Sequence, residues 1–67
     1  PFSFVCPITG EVMEDPVSTA DGYCYERRAI EEWLKRSNLS PSTGLELQNQ
    51  NLIPNHAIRT SILEWLE

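Results

Sequence analysis

Sixty-seven residues suffice for one small domain. At that size only roughly 60% of the unfolded chain's surface is buried, so stability should be marginal, and such domains usually lean on disulfides, metal or dense polar networks. Ten acids against five Lys and Arg give a net charge of −5, which excludes a nucleic-acid binder, because phosphates must be neutralised by clustered cations.

The first eight residues are apolar, and Phe2, Phe4 and Val5 are expected to be extended and available for burial. A first loop follows from Cys6-Pro7-Ile8 to Asp15-Pro16. Its two prolines fix φ and restrict the residues before them, so it should be stiff. Val12 and Met13 are expected to plug the core from within this loop. Ile8 stands between a proline and two small polar residues, where it serves equally well as an exposed contact or as core filler.

Pro16 to Ala20 reads as a strand, and Ala20-Asp21-Gly22 turns it back into Tyr23–Tyr25 as a β-hairpin. From Glu26 to about Arg36 the composition is that of a helix. Ala29, Ile30, Trp33 and Leu34 form one apolar stripe there, and Glu26, Arg27, Glu31, Glu32 and Lys35 lie mostly opposite. This turn, strand and helix from Asp21 to Leu34 form the unit around which the chain is organised, because so short a helix is unstable until it docks. Asn38 is expected to end the helix in a left-handed conformation.

A second loop runs from Leu39 to Asn51 around Ser40-Pro41-Ser42-Thr43-Gly44. Leu45 and Leu47 alternate with Glu46 and Gln48, which predicts a short third strand. Leu52-Ile53-Pro54 then leads to Asn55, a good N-cap for a helix from about His56 to Leu66 with the stripe Ile58, Ile62, Trp65 and Leu66.

Chemistry-bearing residues are few. Cys6 and Cys24 are the only cysteines and His56 the only histidine. That falls short of the four ligands of a structural zinc site, and two isolated cysteines do not form a secreted disulfide framework. Reduced, buried cysteines and a cytoplasmic or nuclear location are expected. No segment reaches the ~20 apolar residues of a membrane span, and no signal peptide is visible. The chain opens on Pro1, so it is expected to be a fragment of a longer, multidomain protein. No Ser/His/Asp set, phosphate-binding Gly loop or activated cysteine is present, so no catalytic residue and no cofactor is assigned.

The fragments Phe4-Val5-Cys6-Pro7-Ile8-Thr9, Glu11-Val12-Met13, Asp15-Pro16-Val17, Asp21-Gly22 and Tyr25-Glu26-Arg27 recur in one known order, followed by Ile30, Trp33-Leu34, Ser40-Pro41, Thr43, Leu52-Ile53-Pro54-Asn55, Ile62 and Trp65. Together they resemble a U-box, the zinc-free relative of the RING domain of ubiquitin ligases, across residues 1–67. The resemblance implies an α+β fold with a short antiparallel sheet, a central helix, two large loops and a C-terminal helix. Hydrogen bonds and ion pairs would replace zinc, with Glu11, Asp15, Asp21, Arg27, Ser40, Thr43 and Asn55 as candidates.

It also implies a docking role. A ubiquitin-conjugating enzyme carrying thioester-linked ubiquitin would be bound, and ubiquitin passed to a substrate lysine with no covalent intermediate on this chain. Ile8, Trp33 and Pro41 occupy the matching contact positions, and Leu39 and Ser40 are rim candidates. Substrate would be held by regions outside this chain. Many relatives of this type carry an Arg or another hydrogen-bonding residue at the position of Gly44, which puts the strength of activation in doubt. The alternative reading is a non-catalytic assembly module, for instance a homodimer.

Overall fold

In a computed structural model describing all residues 1–67, the chain runs from a 3₁₀ turn (Phe2–Phe4) through β1 (Pro16–Ser18), β2 (Cys24–Glu26), α1 (Arg27–Leu34) and β3 (Ile53–Pro54) to α2 (His56–Leu66). The hairpin forms where the Asp-Gly pair demands it. Gly22 takes φ 89°, its N–H bonds to the Thr19 carbonyl at 2.9 Å, and Thr19 N–H bonds to the Tyr23 carbonyl at 3.0 Å. β1 pairs antiparallel with β2, setting Val17 opposite Tyr25. Both side chains are fully buried, and with Cys6, Met13, Ile30 and Ile62 they make the core. The fold is α+β, with strand order β2-β1-β3.

The third strand lies elsewhere than the leucine alternation suggests. Leu45 and Leu47 do not extend a strand: only an isolated bridge joins Leu39 to Glu46. Leu45 is 70% exposed while Leu47 is buried, so the alternation reflects one anchor inside a loop. Ile53–Pro54 instead pairs with the free edge of β1, Val17 facing Pro54 and Ser18 facing Ile53. Such an edge tolerates a proline's missing N–H.

The start of the chain is also different. Phe2–Phe4 coils into one 3₁₀ turn, leaving Phe2 96% exposed, while Phe4 meets Trp65 edge-on with ring centroids 5.6 Å apart. Val5 pairs with Val12 across the first loop, and Met13 is buried in the core.

α1 begins at Arg27, one residue later than its composition suggests, because Glu26 is extended (φ −63°, ψ 131°) as the N-cap and completes β2. No residue other than glycine has a positive φ, so Asn38 is not a left-handed cap. The N–H groups of Arg36 and Ser37 share the Trp33 carbonyl instead, both at 3.0 Å. Asn55 does cap α2, its side chain accepting from Ile58 N–H at 3.1 Å. The α2 stripe divides: Ile62 enters the core and Ile58 packs against it, but Trp65 and Leu66 stay half-exposed or more.

Candidate functional site

Two loops and one helix meet at the site, and each loop is held by polar contacts. In the first loop the Cys6 N–H bonds to the Glu11 carbonyl and the Gly10 N–H to the Cys6 carbonyl, each at 2.8 Å. Gly10 has φ 74°, a conformation that glycine adopts without strain. This tight closure leaves Ile8 at the crown, 37% exposed. The loop's far end is pinned by Glu26. Its carboxylate accepts the N–H groups of Glu14 (3.0 Å) and Asp15 (2.8 Å), and its own N–H meets Cys6 Sγ at 3.3 Å. Beside it Arg27 Nε donates to Asp15 Oδ2 at 2.7 Å, and Arg27 N–H to the Asp15 carbonyl at 3.0 Å.

The second loop is organised around Ser40. Its N–H bonds to the Leu45 carbonyl at 2.7 Å, and its carbonyl accepts Gly44 N–H at 2.9 Å. Its hydroxyl oxygen accepts the N–H groups of Ser42 and Thr43 at 3.3 Å. The Thr43 hydroxyl accepts Leu45 N–H at 3.2 Å. From the core, the hydroxyl of fully buried Tyr25 shares a hydrogen bond with Ser42 Oγ. Asp21 joins from the hairpin turn. Burial by itself would raise its carboxyl, but hydrogen bonds from the Ser40 and Thr19 hydroxyls and from backbone N–H at Tyr23 and Asp21 outweigh that and hold it below the ordinary carboxylate value.

α1 joins the two loops. Trp33 is half-buried, and its indole N–H donates to the Leu39 carbonyl at 2.7 Å, tying the second loop to the helix. On the other side of the indole, Ile8, Ala29, Glu32, Trp33, Arg36 and Ser37 line an open groove of about 490 Å³. Ile8 and Trp33 supply its apolar wall. Glu32 lies on its edge between Lys35 (3.3 Å) and Arg36 (3.5 Å), and the Lys35 ammonium, with Arg36 adding to it, keeps the Glu32 carboxyl below its ordinary value.

Not every candidate residue falls where its motif suggested. Ile8 and Trp33 come together in the groove, while Leu39, exposed, and Pro41, half-buried, stand on the adjoining loop. Ser40 is 2% exposed and acts inside the loop rather than on its rim. Glu11 engages through its backbone alone, with its side chain at the surface. Asn55 caps α2 and reaches Ser18 Oγ at 3.4 Å. Glu26, Tyr25 and Ser42 contribute to the polar contacts without having been among the network candidates. Tyr25 and Glu26 did stand in the recurring fragment Tyr25-Glu26-Arg27, whereas Ser42 left no signal. Gly44 has φ 75° with open space where a side chain would project.

Cys6 and Cys24 are both free thiols. Burial pushes the Cys24 thiol up, which disfavours the reactive thiolate. No three His, Cys, Asp or Glu side chains are grouped to hold a metal ion. The arrangement is an open groove between two loops that are held by hydrogen bonds.

A family model described as U-box domain matches residues 1–67. The chain is 51% identical over 65 residues to U-box domain-containing protein 35 of Arabidopsis thaliana, covering 97% of this chain and 8% of that protein. It is 52% identical over 66 residues to WD repeat, SAM and U-box domain-containing protein 1 of Danio rerio, covering 97% and 14%. The chain thus spans a small fraction of the length of these relatives. With the family model matched from end to end and half the residues shared with such proteins, this chain belongs to the U-box family.

Proposed function

We propose that this domain is a ubiquitin-ligase module that docks a ubiquitin-loaded conjugating enzyme and promotes transfer of ubiquitin to a substrate lysine without a covalent intermediate of its own. Family membership supports the ligase-type role, and one observation carries the docking step. Ile8 is held exposed on a closed loop against Trp33, in a groove edged by charged side chains. An apolar centre inside a polar rim is the anatomy of a modest, transient interface. Leu39, tied to the same helix through the Trp33 indole, and Pro41 on the same loop extend that surface. The free cysteines suit a cytoplasmic or nuclear site of action, and substrate choice is assigned to surfaces outside these residues.

The test is a ubiquitin-discharge assay against a panel of conjugating enzymes, with binding of the unloaded enzymes measured alongside. Ile8→Ala and Pro41→Ala should each weaken docking by about 2 kcal/mol, more than tenfold in affinity, and leave the melting curve close to wild type. Normal docking by Ile8→Ala, or its unfolding, would assign Ile8 to another task. The second reading, an assembly module, draws on Gly44, which offers no side chain to bridge enzyme and ubiquitin. Binding without accelerated discharge across the panel would favour it.

A further inference from the structure

We propose that Thr43 is a phosphorylation site for an acid-directed protein kinase, and that a phosphate there loosens the second loop and weakens docking. The regulatory consequence rests on the docking reading above; the modification itself does not. A hydroxyl three residues before an acid occurs at Ser18 before Asp21, Thr43 before Glu46 and Ser61 before Glu64. A kinase must hold its acceptor in an extended segment, which regular structure withholds. Ser18 is paired on both sides, with Cys24 and Ile53, in the centre of the sheet. Ser61 is inside α2. Only Thr43 lies outside helix and sheet, in the turn closed between Ser40 and Gly44 and within the continuously exposed run from Ser42 to Glu46.

The surroundings of Thr43 make it sensitive to added negative charge. Residues 37–51 contain no Lys, Arg or His. Thr43 shares a cavity of about 350 Å³ with Asp21 and Glu46, and Asp21 is held ionised by the contacts described above. A phosphothreonine brings roughly −1.5 to −2 charges into a place with two carboxylates and no cation on the loop. It also occupies the oxygen that now accepts Leu45 N–H. Pro41 lies two residues away on the same turn, so loss of that turn displaces the docking surface while the core stays intact.

In the reaction, a bond forms between Thr43 Oγ1 and the γ-phosphorus of a nucleoside triphosphate. The bond to the nucleoside diphosphate breaks, and the hydroxyl proton passes to the kinase's base. The experiment treats the 67-residue chain with an acid-directed kinase and ATP, maps the phosphate by mass spectrometry, and follows amide hydrogen exchange across residues 38–48. Binding of a conjugating enzyme recognised by the unmodified chain is measured before and after phosphatase. Expected are one phosphate, on Thr43 and absent from Thr43→Val, faster exchange in the loop, and affinity reduced roughly tenfold, about 1.4 kcal/mol, and restored by phosphatase. Phosphate on Ser18 or Ser61, no phosphate at all, or a phosphorylated Thr43 with unchanged exchange would overturn the proposal. If exchange rises but the unmodified chain binds no conjugating enzyme, the docking reading fails and the site survives. If the enzyme binds both forms equally, the regulatory role fails alone.

Discussion

Glu26 is a buried carboxylate with 9% of its surface exposed, and it takes up two backbone N–H groups that the first loop cannot pair internally. A carboxylate surrounded by donors is well accommodated, but removing it leaves those donors without partners. Glu26→Ala should therefore cost about 3 kcal/mol, measured by chemical denaturation, with Glu26→Gln intermediate because an amide offers one acceptor oxygen rather than two. The Asp15–Arg27 pair is the weaker support. Its side chains are 52% and 35% exposed, and exposed pairs contribute at most about 1 kcal/mol. A loss from Asp15→Asn as large as that from Glu26→Ala would reverse this ranking.

At the scale of elements, α1 is only two turns long and would not persist alone. It is held from below by Ile30 in the core and from the side by the second loop through the Trp33 indole. On the proposed docking role the same contact matters again, since it holds Leu39 to the helix beside the groove. Trp33→Phe keeps most of the apolar wall and removes one hydrogen bond, whose net worth is about 1 kcal/mol. Docking should weaken more than stability does. Titration with a conjugating enzyme beside thermal melting checks this; equal losses in both would make Trp33 a packing residue only.

Across the whole molecule, the loops are closed by hydrogen bonds between side chains and backbone, and no three His, Cys, Asp or Glu side chains group to hold a metal ion. A strong chelator should leave the melting temperature unchanged, and stoichiometric zinc by elemental analysis would contradict that. Acid is the more effective stress. The Asp21 carboxyl titrates below its ordinary value of 3.8, so ionised Asp21 stabilises the folded state at pH values above that figure. The contribution is lost as pH falls through the lower folded value. The stability gap between wild type and Asp21→Asn should hold steady from neutral pH to about pH 5 and close in stronger acid. A gap that widens on acidification would show that Asp21 is not stabilised in its charged form.

The sequence by itself determined the hairpin turn, the amphipathic helices and the cap of α2, because each follows from residues a few positions apart. Asp21-Gly22 selects its turn, the stripe through Ile30 and Trp33 selects α1, and Asn55 reaches an N–H three residues on. It also placed Ile8 and Trp33 among the candidate contacts, by resemblance. Only the tertiary structure decided which segment completes the sheet: Ile53–Pro54 takes the free edge of β1, while Leu45–Gln48 stays in the second loop with one isolated bridge from Glu46 to Leu39. The hidden supports were equally out of reach. Glu26 meets residues 11 and 12 positions earlier, and Tyr25 meets Ser42 17 positions later. Ser40 carried two readings, network and rim, and the structure places it inside the loop, because exposure is a property of folded neighbours. A polar residue in a loop looks the same in sequence whether it faces water or replaces a metal ion.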